Sequence, residues 1–182
     1  AASIFGLFYL GFLPSHWIKL RNLVETDLTN NVNLIPADWS PSFTFGMLIT
    51  FASCLMIVGF DIGSYFVGKQ FGNHSLSPIS PSKTIEGVFG GLLFSIVIGA
   101  YFGYLLRWKF GIIIGIFIAI LVAIFSLVGD LTESMMKRNA GLKDSGNFLP
   151  GHGGILDRID SYLFTPAIVF YIVILLSPLI SS

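Results

Sequence analysis

Between Asp130 and Asp160 the chain carries five carboxylates, Asp130, Glu133, Asp144, Asp157 and Asp160, interleaved with Lys137, Arg138, Lys143, His152 and Arg158. Only 11% of the residues are charged, yet this stretch holds half of the ten acids and four of the ten lysines and arginines. Packing does not require such a concentration in an apolar chain. If the preceding apolar helix continues past Asp130, then Asp130, Glu133 and Lys137 fall at i, i+3 and i+7 on one face. Asp157 and Asp160, three apart, share a face if the last helix begins near Ile155. Oxygen ligands in that number, with no cysteine and one nearby histidine, suit Mg²⁺ or another hard cation rather than zinc. The competing reading is a set of interfacial salt bridges with Lys137, Arg138 and Arg158, each worth little when exposed. Glu133 alone reads as such a pair; Asp130, Asp157 and Asp160 together read as metal ligands.

Residues 143–154, KDSGNFLPGHGG, separate the two acid groups. Their glycines and proline predict a tight, folded-back loop in which Gly151, Gly153 and Gly154 let the backbone approach a ligand. Lys143, Arg138 and Arg158 can donate charge-assisted hydrogen bonds to phosphate oxygens, the arginines bidentately. His152 reads first as a loop-fixing hydrogen-bond donor and second as a general acid or base. Carboxylates for a metal beside cations for phosphates equip a site for phosphoryl or nucleotidyl transfer.

Two further positions face the same question. Asp61 lies one and a half to two turns inside an apolar run, with Tyr65 on its helical face, and reads equally as a structural hydrogen-bonding acid or a functional one. Lys83 and Thr84 precede a predicted helix N-terminus, where free N–H groups favour an anion, but the Walker spacing is absent.

The elements that must position these groups are membrane helices. Of the 182 residues, 54% are hydrophobic, and the mean hydropathy is +0.82, far above that of a soluble domain. A bilayer core of roughly 30 Å takes about 20 apolar residues of helix. That length predicts spans near 43–68, 85–106, 110–130 and 161–179, after an apolar stretch at 1–14 that reads as the end of a truncated helix. No segment alternates like a barrel strand, so the fold class is all-α, a polytopic transmembrane bundle forming one domain over residues 1–182. Gly99 with Gly103, and Gly111 with Gly115, read as helix-packing positions. Residues 15–42 form the first long connection, with His16 at the interface; Cys54 is an unpaired filler, and His74 is a solvated loop residue. Ten acids balance ten lysines and arginines, so global charge gives no support for nucleic-acid binding.

Alternating the loops places 69–84 and 131–160 on one side, with six lysines and arginines, and 15–42 and 107–109 on the other, with four. That bias assigns both motif-rich loops to the cytoplasm. A cation or proton path is the rival class, but it calls for acids deep within the spans, and only Asp61 is clearly inside.

At these residues the sequence resembles the phosphatidate cytidylyltransferases, also called CDP-diacylglycerol synthases. The family signature is met by Ser134, Lys137-Arg138, Lys143-Asp144, Gly146, Leu149-Pro150, His152-Gly153-Gly154, Asp157-Arg158 and Asp160. The likeness reaches back to Asp61, Tyr65 and Gly68 and to Ser80-Pro81-Ser82-Lys83-Thr84, where Ser82 replaces a lysine usual in the family. It covers essentially the whole chain and implies further helices before residue 1. It implies transfer of CMP from CTP to phosphatidate by a multi-pass protein of a bacterial-type inner membrane, with the site facing the cytoplasm, and pairing of two copies. On that resemblance Asp130 and Asp157, with Asp144 or Asp160, would hold Mg²⁺, a second cation being open. Lys137, Arg138, Lys143 and Arg158 would clamp phosphates. Ser80, Lys83 and Thr84, with His152, Gly153 and Gly154, would bind substrate. A phosphate nucleophile is already anionic and needs no strong base, which demotes His152.

Overall fold

The computed structural model describes residues 2–23, 44–77, 80–106, 110–142, 145–146 and 154–181. The chain opens with helix α1 (Ala2–Gly6), a wider π-helical stretch (Leu7–Phe12) and α2 (Leu13–Arg21), which has Pro14 in its first turn. Four long elements follow: α3 (Phe45–Phe71), α4 (Ile85–Leu105), α5 (Gly111–Asn139) and, after the single turn α6 (Leu156–Ile159), α7 (Ser161–Ser181). Among the described residues four helices are long and apolar enough to cross a membrane: Phe45–Phe71, Ile85–Leu105, Gly111–Asn139 and Leu156–Ser177. The predicted polytopic bundle is therefore present.

Local chemistry sets the boundaries. Thr44 caps α3 by accepting from the Met47 N–H at 3.4 Å, and Thr84 caps α4 by accepting from Gly87 at 3.1 Å, each satisfying a donor that the first turn leaves open. Phe110, at φ 56°, takes the left-handed turn into α5. Within the bundle α3 packs on α4, α4 on α5, and α5 and α2 on α7. At the α4–α5 crossing a Cβ on Gly99 would run into the carbonyl of Gly115, so the two backbones touch only because both residues lack side chains. The main core gathers Leu20, Phe45, Ile57, Val122, Val169 and Val173, and a smaller one gathers Tyr9, Leu13, Leu163 and Ala167.

Several expectations change. The span placed at 110–130 runs on to Asn139 as one helix of 29 residues, about 43 Å at 1.5 Å per residue, longer than an apolar core of roughly 30 Å. The loop at 69–84 contains an antiparallel hairpin, β1 (Ser75–Ser77) and β2 (Ser80–Thr84), with Ser75 opposite Thr84 and Ser77 opposite Ser80. The connection placed at 15–42 is helical as far as Arg21. His16 is 0% exposed, its Nδ1 3.0 Å from the Phe12 carbonyl and its Nε2 3.4 Å from the Tyr171 hydroxyl. The ring is buried because both nitrogens have partners and Phe12 and Phe170 meet it edge-on. His74 is exposed as expected but is not merely solvated: its Nδ1 lies 2.6 Å from Glu86 Oε1, and its carbonyl accepts from Ile85 at 3.0 Å, tying the hairpin to α4.

Candidate active site

The C-terminal third of α5 has three working faces. Leu127 and Asp130 look into a cavity of about 440 Å³ that is also lined by Asp61, Tyr65 and Lys69 of α3 and by Ser82, Lys83 and Thr84 of the hairpin. Glu133 and Lys137 look toward α6, where Lys137 reaches Asp157. Thr132, Met135, Met136, Arg138 and Asn139 line a separate surface groove with Phe5. The 3.6-residue period thus divides the polar stripe between different neighbours.

On the cavity side, Lys83 Nζ is ion-paired to Asp130 Oδ2, joining β2 to α5. Burial pulls the Lys83 ammonium below its ordinary value, and the charges of Asp61 and Asp160 act in the opposite direction. Asp61 lies on the wall of the cavity, ten residues before the last residue of α3, or about 15 Å along the helix. An acid at that depth in an apolar helix needs a polar neighbour, and Lys83 is one. Of the three hairpin residues proposed for substrate, Lys83 and Thr84 face the cavity, the Thr84 hydroxyl being used in the α4 cap. Ser80 stands at the far end of β2, opposite Ser77.

On the α6 side, Lys137 Nζ lies 2.6 Å from both Glu133 Oε2 and Asp157 Oδ1. Asp157 also accepts backbone N–H groups: Ser145 at 3.0 Å and Gly154 at 2.7 Å, both on Oδ2. These donors flank the glycine-rich loop, so one carboxylate draws its two ends together. Asp160 is 8% exposed and accepts from the Ser161 N–H at 2.8 Å. Its carbonyl sits where a Cβ on Gly129 would be, so the glycine preceding Asp130 lets the α6–α7 junction close on α5. Asp160 consequently lies in the field of Lys83, Lys137 and Asp157.

The structure therefore brings together Asp130, Lys83, Lys137, Asp157 and Asp160 from three separate segments: β2, α5 and the α6 turn with its cap. Arg138 points into the outer groove, and Arg158 lies exposed on α6. Lys143, Asp144, His152 and Gly153 lie outside the described residues. Two features escape a reading of the sequence. Glu133, which reads there as a surface salt bridge, is 1% exposed, its Oε2 on Lys137 and its carboxyl beside that of Asp157. Tyr9 is 2% exposed, its hydroxyl has no hydrogen-bond partner among the described residues, and it lies within the electrostatic reach of Asp160 and Glu133. The Glu133–Lys137 spacing of four carried a signal for the first; nothing in the apolar run around Tyr9 marked the second.

The sequence profile of the Cytidylyltransferase family matches residues 1–176. The chain belongs to that family. A protein named Phosphatidate cytidylyltransferase from Synechocystis is 45% identical over 190 residues, an alignment that takes in 100% of this chain and 64% of that protein. One of the same name from Bacillus subtilis is 36% identical over 170 residues, covering 93% of this chain and 56% of the relative. Phosphatidate cytidylyltransferase 4, chloroplastic, of Arabidopsis thaliana is 41% identical, covering 93% and 44%. The chain thus spans between about half and two thirds of the length of these family members.

Whether the family's fold suits a divalent cation can be asked of the residues themselves. Among the described residues no three His, Cys, Asp or Glu side chains form a ready-made metal cage. Among the described residues the acids Asp61, Asp130, Glu133, Asp157 and Asp160 nevertheless outnumber the lysines Lys69, Lys83 and Lys137. Oxygen donors with surplus negative charge fit a hard cation that shares its coordination with substrate phosphates.

Proposed function

We propose that this chain is the catalytic part of a phosphatidate cytidylyltransferase. A phosphate oxygen of phosphatidate forms a bond to the α-phosphorus of CTP; the bond from that phosphorus to the bridging oxygen breaks, giving CDP-diacylglycerol and pyrophosphate. The observation that carries the reading is the convergence of Lys83, Asp130, Lys137, Asp157 and Asp160, most of them signature residues, at the ends of membrane-spanning helices. A lipid phosphate stays at such a boundary, and a nucleotide can meet it there from the cytoplasm. The names and identities of the relatives support the same substrates.

Each group has a task under this reading. Two polyanions repel unless cations stand between them. Lys83, on the cavity wall, and Lys137, at the foot of the glycine-rich loop, supply fixed positive charge for phosphate oxygens. Arg158 and Lys143 extend that clamp. Asp130, with Asp157, Asp160 or Asp144, would hold Mg²⁺. When bound, that ion supplies charge neutralisation and polarisation of the α-phosphate. Asp157 also orients the loop through Ser145 and Gly154.

The test is the full-length protein in detergent with phosphatidate and labelled CTP. Labelled CDP-diacylglycerol and pyrophosphate should accumulate together, and only with a divalent cation present. No lipid product under these conditions overturns the assignment.

A further inference from the structure

Two lysines of the site, Lys83 and Lys137, already rest on carboxylates, but the two are held differently. Lys137 is 19% exposed and lies between Glu133 and Asp157, and Asp157 is fixed in turn by two backbone N–H groups. Lys83 is 26% exposed, and Asp130, 21% exposed, opens onto the same cavity. Among the described residues Asp130 is held by Lys83 alone. Lysine is a compact charge on a flexible four-carbon stem, so it re-aims at little cost. It also has somewhere to go, because Asp61 lies on the cavity wall and its charge acts on Lys83.

The local charge favours a visiting cation. Asp61 and Asp130 line this cavity with Lys69 and Lys83, and the buried carboxylate of Asp160 adds its charge at Lys83. Yet an ammonium and a divalent ion cannot share Asp130 Oδ2, since two cations in contact repel. One must leave as the other arrives.

We propose that Lys83 is an exchangeable counter-ion: it neutralises Asp130 until a divalent cation takes that carboxylate, and then turns to a substrate phosphate in the same cavity. This rests on the cytidylyltransferase reading for the identity of the phosphate, which belongs either to CTP or to phosphatidate. Lys83 thereby couples the two ligands. The divalent ion frees the lysine for phosphate, and phosphate draws the lysine off the acid, so each raises the affinity for the other by the same factor.

The experiment counts free Mn²⁺ by electron paramagnetic resonance over full-length protein in detergent, without substrate. Lys83→Gln should bind Mn²⁺ tighter than wild type by about fivefold, the loss of one partly exposed ion pair, and Lys83→Met, which keeps the stem, should do the same if the glutamine variant misfolds. Lys83→Arg should stay at wild-type affinity or below. In an Asp130→Asn background the gain should vanish. Separate equilibrium dialysis of labelled CTP and of short-chain phosphatidate, with and without Mg²⁺, identifies whose phosphate Lys83 meets. The ligand whose Mg²⁺-dependent gain flattens in Lys83→Gln is the one. The proposal is overturned if the neutral variants bind Mn²⁺ no better than wild type, if the gain survives without Asp130, or if neither ligand's Mg²⁺ dependence changes. Failure of CMP transfer by the wild type with the Mn²⁺ gain intact would instead overturn the assigned activity and leave the exchange standing.

Discussion

The two lysine–aspartate pairs of this molecule share residue types but differ in how their carboxylates are held. Asp130 meets Lys83 across a cavity of about 440 Å³. Asp157 meets Lys137 at 2.6 Å and also the Ser145 and Gly154 N–H groups. A carboxylate with one ionic partner in an open cavity can change partners; one that closes a backbone loop cannot do so without moving the loop. Asp130 is accordingly the more chemical of the two, and Asp157 is architectural as well.

The largest expected effect separates them. Asp130→Asn should lower the rate of CMP transfer by about 10²–10³-fold, the scale of losing one electrostatic contribution to a transition state. Its melting temperature should stay close to wild type, because the residue lines an open cavity. Asp157→Asn should also lose activity but should unfold more easily. An amide keeps one acceptor for the loop N–H groups and leaves Lys137 with Glu133, which should cost about 1–3 kcal/mol. Parallel activity and thermal-melting measurements on the two variants check the contrast, and equal melting temperatures would erase it. CDP-diacylglycerol formation that persists undiminished in Asp157→Asn would remove Asp157 from the metal ligands and leave it the loop clamp.

Glu133 sharpens the same comparison. Because Lys137 lies between Glu133 and Asp157, Glu133→Gln removes a buried charge while keeping the shape of the side chain. Its effect should depend on Asp157. In a double-mutant cycle the two substitutions should be non-additive by about 1 kcal/mol or more in unfolding free energy, whereas Glu133→Gln with Asp130→Asn should be additive. Coupling of equal size in both cycles would show that the pairs form one network rather than two.

These differences were only half legible in the sequence. Hydropathy found the four membrane-length helices, since an uninterrupted run of about twenty apolar residues suits little besides a bilayer crossing. It stopped the third of them at Asp130, because charge reads as the end of a span. The helix continues because two of its faces find polar partners, and those partners come from β2 and α6, which hydropathy cannot place. Loop alternation put Lys83 and Asp130 on one side of the membrane, which is necessary for their pairing but does not produce it. The hairpin was invisible because SLSPISPSKT contains none of the hydrophobic alternation that marks a strand. The burial of His16 was invisible for a different reason: besides the local Phe12, its neighbours Phe170 and Tyr171 are distant in sequence.

Gly129 shows how one small residue positions Asp160. A Cβ at this position would meet the Asp160 carbonyl, so Gly129→Val should push α5 from the α6–α7 junction and destabilise the fold by about 1–3 kcal/mol, the cost of overpacking a close contact. Transfer activity should fall with it, because Asp160 would shift relative to Lys83 and Lys137. A variant that is less stable but fully active would show that the placement of Asp160 is tolerant.

The smallest effect belongs to the cap at the hairpin. Thr84 sits next to Lys83, and its hydroxyl accepts the Gly87 N–H at 3.1 Å, fixing where β2 stops and α4 begins. Thr84→Ala should cost about 1 kcal/mol of stability. If the cap also aims Lys83 at Asp130, substrate affinity should weaken more than the rate at saturation, because the lysine would be present but less well directed. Thr84→Ser, which keeps the acceptor, should restore both. A Thr84→Ala variant with unchanged affinity would mean that Asp130, rather than the backbone of the hairpin, determines where Lys83 points.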